Sequence, residues 1–264
     1  MRVGLFDSGI GGLTILNSIV KMVNHTEFFY VADTLYTPYG EKDKSIILKR
    51  CDDITNYLLD NYKIDILVIA CNTATSVAIK HLREKFKDLP IIGVEPALKP
   101  AINFSKNSNI AIMGTPSTIN GEKYKELVAN LTKDKKLNLY HIPCSGLAKE
   151  IEDGEVNNPR TKEMLKLYLE PLKDKNIDSL VLGCTHYPII KDEISSFFNN
   201  NITLFDSANA VAKRLFELSL LKDYGRHSSN ITILYSSKIN FDKVKFILKD
   251  SKYELSECKI WVKI

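Results

Sequence analysis

Short apolar runs that end in small or polar residues, each followed by an amphipathic stretch, recur along the chain. The first run, residues 3–6, leads into Asp7-Ser8-Gly9-Ile10-Gly11-Gly12 and an amphipathic stretch over 13–23. Residues 28–31 end at Ala32-Asp33-Thr34, and residues 66–70 end at Cys71-Asn72-Thr73 ahead of a helix over 76–86. Runs at 91–94, 110–113, 180–182 and 204–205 end at Glu95-Pro96, Gly114-Thr115-Pro116, Gly183-Cys184-Thr185-His186 and Asp206-Ser207. This alternation predicts an α/β fold of mostly parallel sheets flanked by helices. In such folds the polar residues just past the carboxyl ends of the strands form the ligand crevice.

An internal repeat sharpens the pattern. Residues 64–73 read I-D-I-L-V-I-A-C-N-T and residues 177–186 read I-D-S-L-V-L-G-C-T-H, so Ile, Asp, Leu, Val and Cys agree in register at an offset of 113. Segments 90–97 and 202–208 echo each other with an acid at the strand end, Glu95 and Asp206, and 3–14 resembles 110–120. Parallel strands resemble one another in any case, but a match centred on a rare residue points to duplication. Two pseudo-symmetric lobes are therefore expected, each presenting a cysteine at a strand end, with the active site in the cleft between them. The first lobe is assigned to 1–97 plus 208–264, returning through a helix over 210–220, a strand over 231–235 and a terminal helix and strand. The second is assigned to 98–207.

Composition narrows the class. A chain of 264 residues is long enough for two modest lobes with a core that needs no staples. The formal charge of +4 is a small imbalance, and no basic face or motif points to nucleic acid. No apolar run reaches the roughly 18–20 residues of a membrane span, so no membrane partner is expected. The N-terminus turns polar at once, which reads as a cytoplasmic chain without a signal peptide. The five cysteines, at 51, 71, 144, 184 and 258, include no CxxC pair. Neither a disulfide framework nor a metal site is expected, and His25, His81, His141 and His227 show no ligand spacing.

Each free thiol is then judged by its setting. Cys71 stands where an apolar strand meets a helix N-terminus, whose unpaired N–H groups and positive dipole end favour thiolate over thiol. Taken alone, such a cysteine is read more simply as a small buried hydrophobe. Cys184 repeats the setting and adds His186, whose imidazole can take or return a thiol proton. Asp7 is the matching polar group at the end of the first strand, and it can also cap the helix that follows. The 7–12 loop lacks the Lys of a phosphate loop and the third glycine of a dinucleotide fingerprint. It suits close approach of backbone N–H groups to a small anion such as a carboxylate. Tyr39-Gly40 offers another close backbone approach. Ser8, Asn72, Thr73 and Thr185 are neutral hydrogen-bonding groups suited to a small polar substrate. Cys51 and Cys258 read as structural, and Cys144 is ambiguous.

Together, F-D-S-G-I-G-G-L-T (6–14), P-Y-G (38–40), A-C-N-T-A (70–74), G-C-T-H-Y-P (183–188) and D-S-A (206–208) resemble the glutamate racemases, members of the cofactor-independent aspartate/glutamate racemase superfamily. The resemblance runs from residue 3 to about 212, and the tail carries little signature. It implies interconversion of L- and D-glutamate without a cofactor, D-glutamate being supplied for peptidoglycan, by a homodimer. Carried over, Cys71 takes the proton from D-glutamate and Cys184 from L-glutamate, helped by Asp7 and His186 respectively. Glu152 falls at the position of a carboxylate that supports the histidine. Ser8, Tyr39, Gly40, Asn72, Thr73, Thr185 and His186 would hold the substrate. One departure is Ala32-Asp33-Thr34-Leu35-Tyr36 in place of a Gly-Asp-x-Ala-Arg segment, which is expected to alter loop or interface contacts. Another is 144–152, more polar than the usual run. An aspartate racemase, a two-lobed binding protein with structural cysteines, and a thiol redox enzyme remain open beside this reading.

Overall fold

The computed structural model describes all residues except 155–157, 222, 224–229, 250 and 261–264, with backbone alone for 256–260. The expectations for His227 and for the Cys258 side chain fall outside the described residues.

The chain begins with β1 (Arg2–Asp7), α1 (Leu13–Ile19), β2 (Glu27–Ala32), α2 (Lys44–Tyr62), β3 (Ile66–Ile69), α3 (Asn72–Lys85) and β4 (Ile91–Gly93). There follow α4 (Leu98–Phe104), β5 (Asn109–Gly114), α5 (Pro116–Asn120), α6 (Glu122–Thr132), β6 (Asn138–Pro143) and α7 (Leu147–Asp153). Next come α8 (Pro159–Leu169), β7 (Ser179–Gly183), α9 (Lys191–Phe197) and β8 (Thr203–Phe205). The chain closes with α10 (Ala208–Ser219), β9 (Asn230–Tyr235), α11 (Phe241–Leu248) and β10 (Glu254–Ile260).

Two sheets result, ordered β10-β9-β2-β1-β3-β4 and β6-β5-β7-β8, and every described strand pairing is parallel. The segments β2-β1-β3-β4 and β6-β5-β7-β8 share one order, so β3 is the counterpart of β7 and β1 of β5. The repeat read at 64–73 and 177–186 is this equivalence. The tail lies on the first sheet: β9 pairs with β2 and β10 with β9.

Helices cover both faces of each sheet, which is why the central strands are apolar throughout rather than alternating. In the first sheet Leu5, Val68 and Tyr30 face one core while Phe6, Leu67 and Ile69 face the other. In the second, Met113, Leu180 and Leu182 oppose Ile110, Ile112 and Val181 across the strands. Each such buried side chain contributes about 1.5–3 kcal/mol of transfer free energy. Among the described residues, no helix is long and apolar enough to cross a membrane.

Three details depart from the sequence reading. Strand β6 was not expected, because it lies at a sheet edge and only Ile142 along it is buried. Helix α3 starts at Asn72 rather than 76, because Cys71 itself is its N-cap. Helix α1 ends at Ile19, where the chain turns at Val20 before β2, so the amphipathic stretch outlasts the helix.

Candidate active site

Most site residues stand at the carboxyl end of a strand or in the loop or helix start after it. Cys71, two residues past β3 and the N-cap of α3, has extended backbone (φ −139°, ψ 122°), and its Sγ accepts the Ala74 N–H at 3.5 Å. Cys184 follows β7, the equivalent strand, and Asp7 is the last residue of β1. A small, tight pocket lies between these strand ends. Asp7, Ser8, Tyr39, Gly40, Cys71, Asn72 and Thr73 line it from the first sheet. Cys184, Thr185 and His186 line it from the second, with Thr115 and Ala148. All of the sequence-predicted site residues thus meet here except Glu152, which stands behind His186.

The two cysteines are almost wholly buried, at 5% and 6% exposure, so water is largely kept from both. Their helpers differ. Asp7 is fully buried and accepts the Gly12 N–H at 2.7 Å, the Ser8 N–H at 2.7 Å and the Thr185 hydroxyl at 3.0 Å. Burial raises its pKa from the ordinary range against the opposing pull of His186, a Cys71 hydrogen bond and the Ser8 N–H. On the other side His186 Nδ1 stands 3.8 Å from Cys184 Sγ, and its Nε2–H donates to Glu152 Oε2 at 2.6 Å. Burial alone would lower the His186 pKa, but hydrogen bonds to Cys184 and Glu152 and the Glu152 charge carry it well above the ordinary value. These partners favour the imidazolium form.

Two expectations are corrected here. The helix N-terminus was expected to favour thiolate at Cys71, yet burial and then the Asp7 charge push that thiol well above its ordinary range. A single N–H at 3.5 Å does not offset the loss of water around a charged sulfur. The glycine-rich loop was expected to approach a small anion such as a carboxylate, with no group of the chain named for that role. Its N–H groups instead hold the protein's own acids: Ser8 and Gly12 donate to Asp7, and Ile10 donates to Glu152 at 2.9 Å.

The glycines of that loop are required by proximity. A Cβ on Gly11 would stand 2.5 Å from His186 Nδ1 and 2.7 Å from Thr185 Oγ1, and one on Gly9 would run into the Glu152 carboxylate. Since Nδ1 is the atom facing Cys184, Gly11→Ala moves the imidazole off the sulfur. Misplacement of this size costs about 10²-fold in rate. Steady-state kinetics beside an unfolding curve checks this, and near-normal turnover in the folded variant would refute it.

Sequence reasoning missed several supporting residues. Thr115 lines the cavity and its hydroxyl pairs with Thr73 at 3.0 Å across the cleft. The 3–14 and 110–120 resemblance was the available signal, since it sets Thr115 opposite Ser8. Behind Tyr39, the buried Asp33 accepts the Tyr39 hydroxyl at 2.6 Å and both Nε and Nη2 of Arg50, at 2.9 and 3.0 Å. The 32–36 segment lacks an arginine, but Arg50 of α2 reaches this loop and lies over the Tyr36 ring at 4.4 Å. Cys51 and Cys144 are buried away from the cleft, and burial pushes the Cys144 thiol up to about 12.

Residues 21–215 match the family model for Asp/Glu/hydantoin racemases. The glutamate racemase of Aliarcobacter butzleri is 51% identical, covering 98% of this chain and all of that protein. Among solved structures, Escherichia coli glutamate racemase in complex with L-glutamate and the activator UDP-MurNAc-Ala superimposes with a TM-score of 0.85 at 26% identity, covering 100% of this chain and 98% of that one. Francisella tularensis glutamate racemase in complex with D-glutamate gives 0.80 at 29% identity, covering 98% and 97%. With three quarters of its length inside the family model and a near full-length relative at half identity, the chain belongs to the glutamate racemases of the Asp/Glu/hydantoin racemase family.

Proposed function

We propose that the chain interconverts L- and D-glutamate by direct proton transfer between two cysteines, Cys184 serving the L face of Cα and Cys71 the D face. Family membership makes it an isomerase, an amino-acid racemase. The observation that carries the mechanism is the placement of two buried cysteines after equivalent strands on one pocket, each with its own helper. Inversion needs an acid and a base on opposite sides of Cα, and like residues in like settings let the reaction run both ways. Complexes of related enzymes with L- and with D-glutamate support the substrate.

In the L-to-D direction, Cys71 begins as the thiol, because burial and Asp7 hold its proton. Cys184 is the acceptor, with the His186 cation 3.8 Å away to balance the charge. The reverse direction exchanges the roles, with Asp7 taking up what Cys71 releases. The Cα–H is weakly acidic, so exclusion of water and fixed donors around the substrate must supply the stabilisation. Asn72 Oδ1 is buried without a partner and suits the substrate ammonium. Unused N–H groups in the first turn of α3 and the Tyr39-Gly40 backbone suit a carboxylate.

The lobe assignment of 1–97 plus 208–264 against 98–207 is supported by the membership of the two sheets. A homodimer and supply of D-glutamate to peptidoglycan are proposed from the family resemblance. The test is incubation of the purified protein with each glutamate isomer in deuterated water, without added cofactor. Deuterium is expected at Cα together with inversion. Exchange with aspartate but none with glutamate would overturn the reading.

A further inference from the structure

Lys243, on the C-terminal tail where the family motifs have ended, is set in a way its own helix does not explain. It lies in the first turn of α11, where its backbone N–H donates to the Asn240 side chain at 3.1 Å. A cation is unfavourable at that end of a helix, and a lysine only 4% exposed must find partners or lose its charge. The partners lie on the second sheet's side of the molecule. Lys243 Nζ donates to the main-chain carbonyls of Ile151 and Glu152, at 2.8 Å in the latter case. Both carbonyls belong to the last turn of α7, where helix geometry leaves them without internal donors, and the helix dipole there favours a cation.

The opposite end of α7 is held with the opposite charge. Glu41, just after Tyr39-Gly40, accepts the Gly146 N–H at 3.2 Å at the N-cap of α7. One short helix is thus held at both ends by side chains from elements that pack with the first sheet, and it carries Glu152, the acid behind His186.

We propose that Lys243 is a positioning residue for the Cys184 half of the site: by gripping the end of α7 it fixes Glu152 against His186, and through it the imidazole against Cys184 Sγ. The role differs from general stabilisation because it is one-sided. Asp7 and Cys71 share no described hydrogen bond with α7 or Lys243 and feel Glu152 only through its charge and the Ile10 N–H of the 7–12 loop, so loosening α7 handicaps proton transfer at Cys184 more than at Cys71.

The inference rests on the two-cysteine reading above, and the test separates the two. Lys243→Met and Lys243→Gln remove the charge, and Lys243→Arg keeps it in a different shape. Primary isotope effects are measured with Cα-deuterated L-glutamate and with Cα-deuterated D-glutamate. The neutral variants are expected to lose between about 10- and 100-fold in kcat/KM. Their isotope effect should rise for L-glutamate, whose proton goes to Cys184, and fall towards unity for D-glutamate. Lys243→Arg should move both in the same sense by less, so it carries the test if neither neutral variant folds. Folded variants with lowered activity but the wild-type ratio of the two isotope effects would show a merely structural lysine and overturn the proposal. A wild-type protein that racemises no glutamate would overturn the two-cysteine reading instead.

Discussion

Replacing either Cys71 or Cys184 by alanine is expected to lower racemisation by at least about 10³-fold, because in the proposed mechanism each supplies one of the two proton transfers and no described residue is placed to substitute. Asp7 cannot step in for Cys71: its carboxylate is tied to the Ser8 and Gly12 N–H groups and the Thr185 hydroxyl. His186 is poorly placed to step in for Cys184, since its Nε2 is bonded to Glu152 and its Nδ1 is turned to the Cys184 sulfur at 3.8 Å. The nearest other thiol on that side, Cys144, is 1% exposed and does not line the cavity. The two single variants should nevertheless differ in what they retain. With Cys184 removed, Cys71 still faces the Cα proton of D-glutamate, so slow exchange of that proton without inversion is expected. With Cys71 removed, the residual exchange should appear from L-glutamate. Proton NMR of each isomer in deuterated water reads both quantities. More than a tenth of wild-type racemisation in either alanine variant would sink the two-cysteine mechanism, as would residual exchange from the same isomer in both.

Legibility of this site in the sequence follows the physics of each part. Parallel strands buried on both faces must be short apolar runs, so β1, β3, β5 and β7, and the residues at their carboxyl ends, could be read directly. Duplication did the rest: the register of 64–73 on 177–186 paired Cys71 with Cys184 before any contact was known. Strand β6 was invisible because an edge strand with one buried side chain carries no apolar run. The protonation of Cys71 was misjudged because its setting names the favourable N–H of Ala74 but not the extent of burial or the closeness of Asp7. The loop at 7–12 reads as a holder of a carboxylate, but the sequence does not say whose, since residue 152 lies 142 positions away from its donor, Ile10. Arg50 and Lys243 were missed for the same reason. Their partners, Asp33 and the end of α7, become neighbours only when the helices are laid on the sheets.

The largest expected effect outside the cysteines comes from Glu152→Gln, and its sign is fixed by the groups around His186. In the wild type, burial pulls the imidazole towards neutrality, and the cation survives because Cys184 and Glu152 together outweigh that pull. Glutamine keeps the shape and can still accept the His186 Nε2–H and the Ile10 N–H, but it removes the charge. The His186 pKa therefore falls in the variant while burial is unchanged. A histidine whose folded pKa lies above its unfolded one adds stability that is fully present below the unfolded value, near 6.5, and is lost as pH rises through the folded value. Activity that depends on the cation follows the same course. The variant should thus lose its activity on the alkaline side at a lower pH than the wild type, with turnover near the optimum down by about 10²-fold. The stability difference between the two proteins should be widest at the acidic end of the pH range and shrink as pH rises through the wild-type imidazole's folded value. Because the histidine can discharge rather than remain an unpaired cation, the loss of stability should be about 1–3 kcal/mol, below the cost of stranding a buried charge. Rate profiles from pH 6 to 10 and urea unfolding at both ends of that range measure the two effects. An alkaline limb that does not move would show that Glu152 supports the fold and leaves the proton transfer to His186 and Cys184 alone.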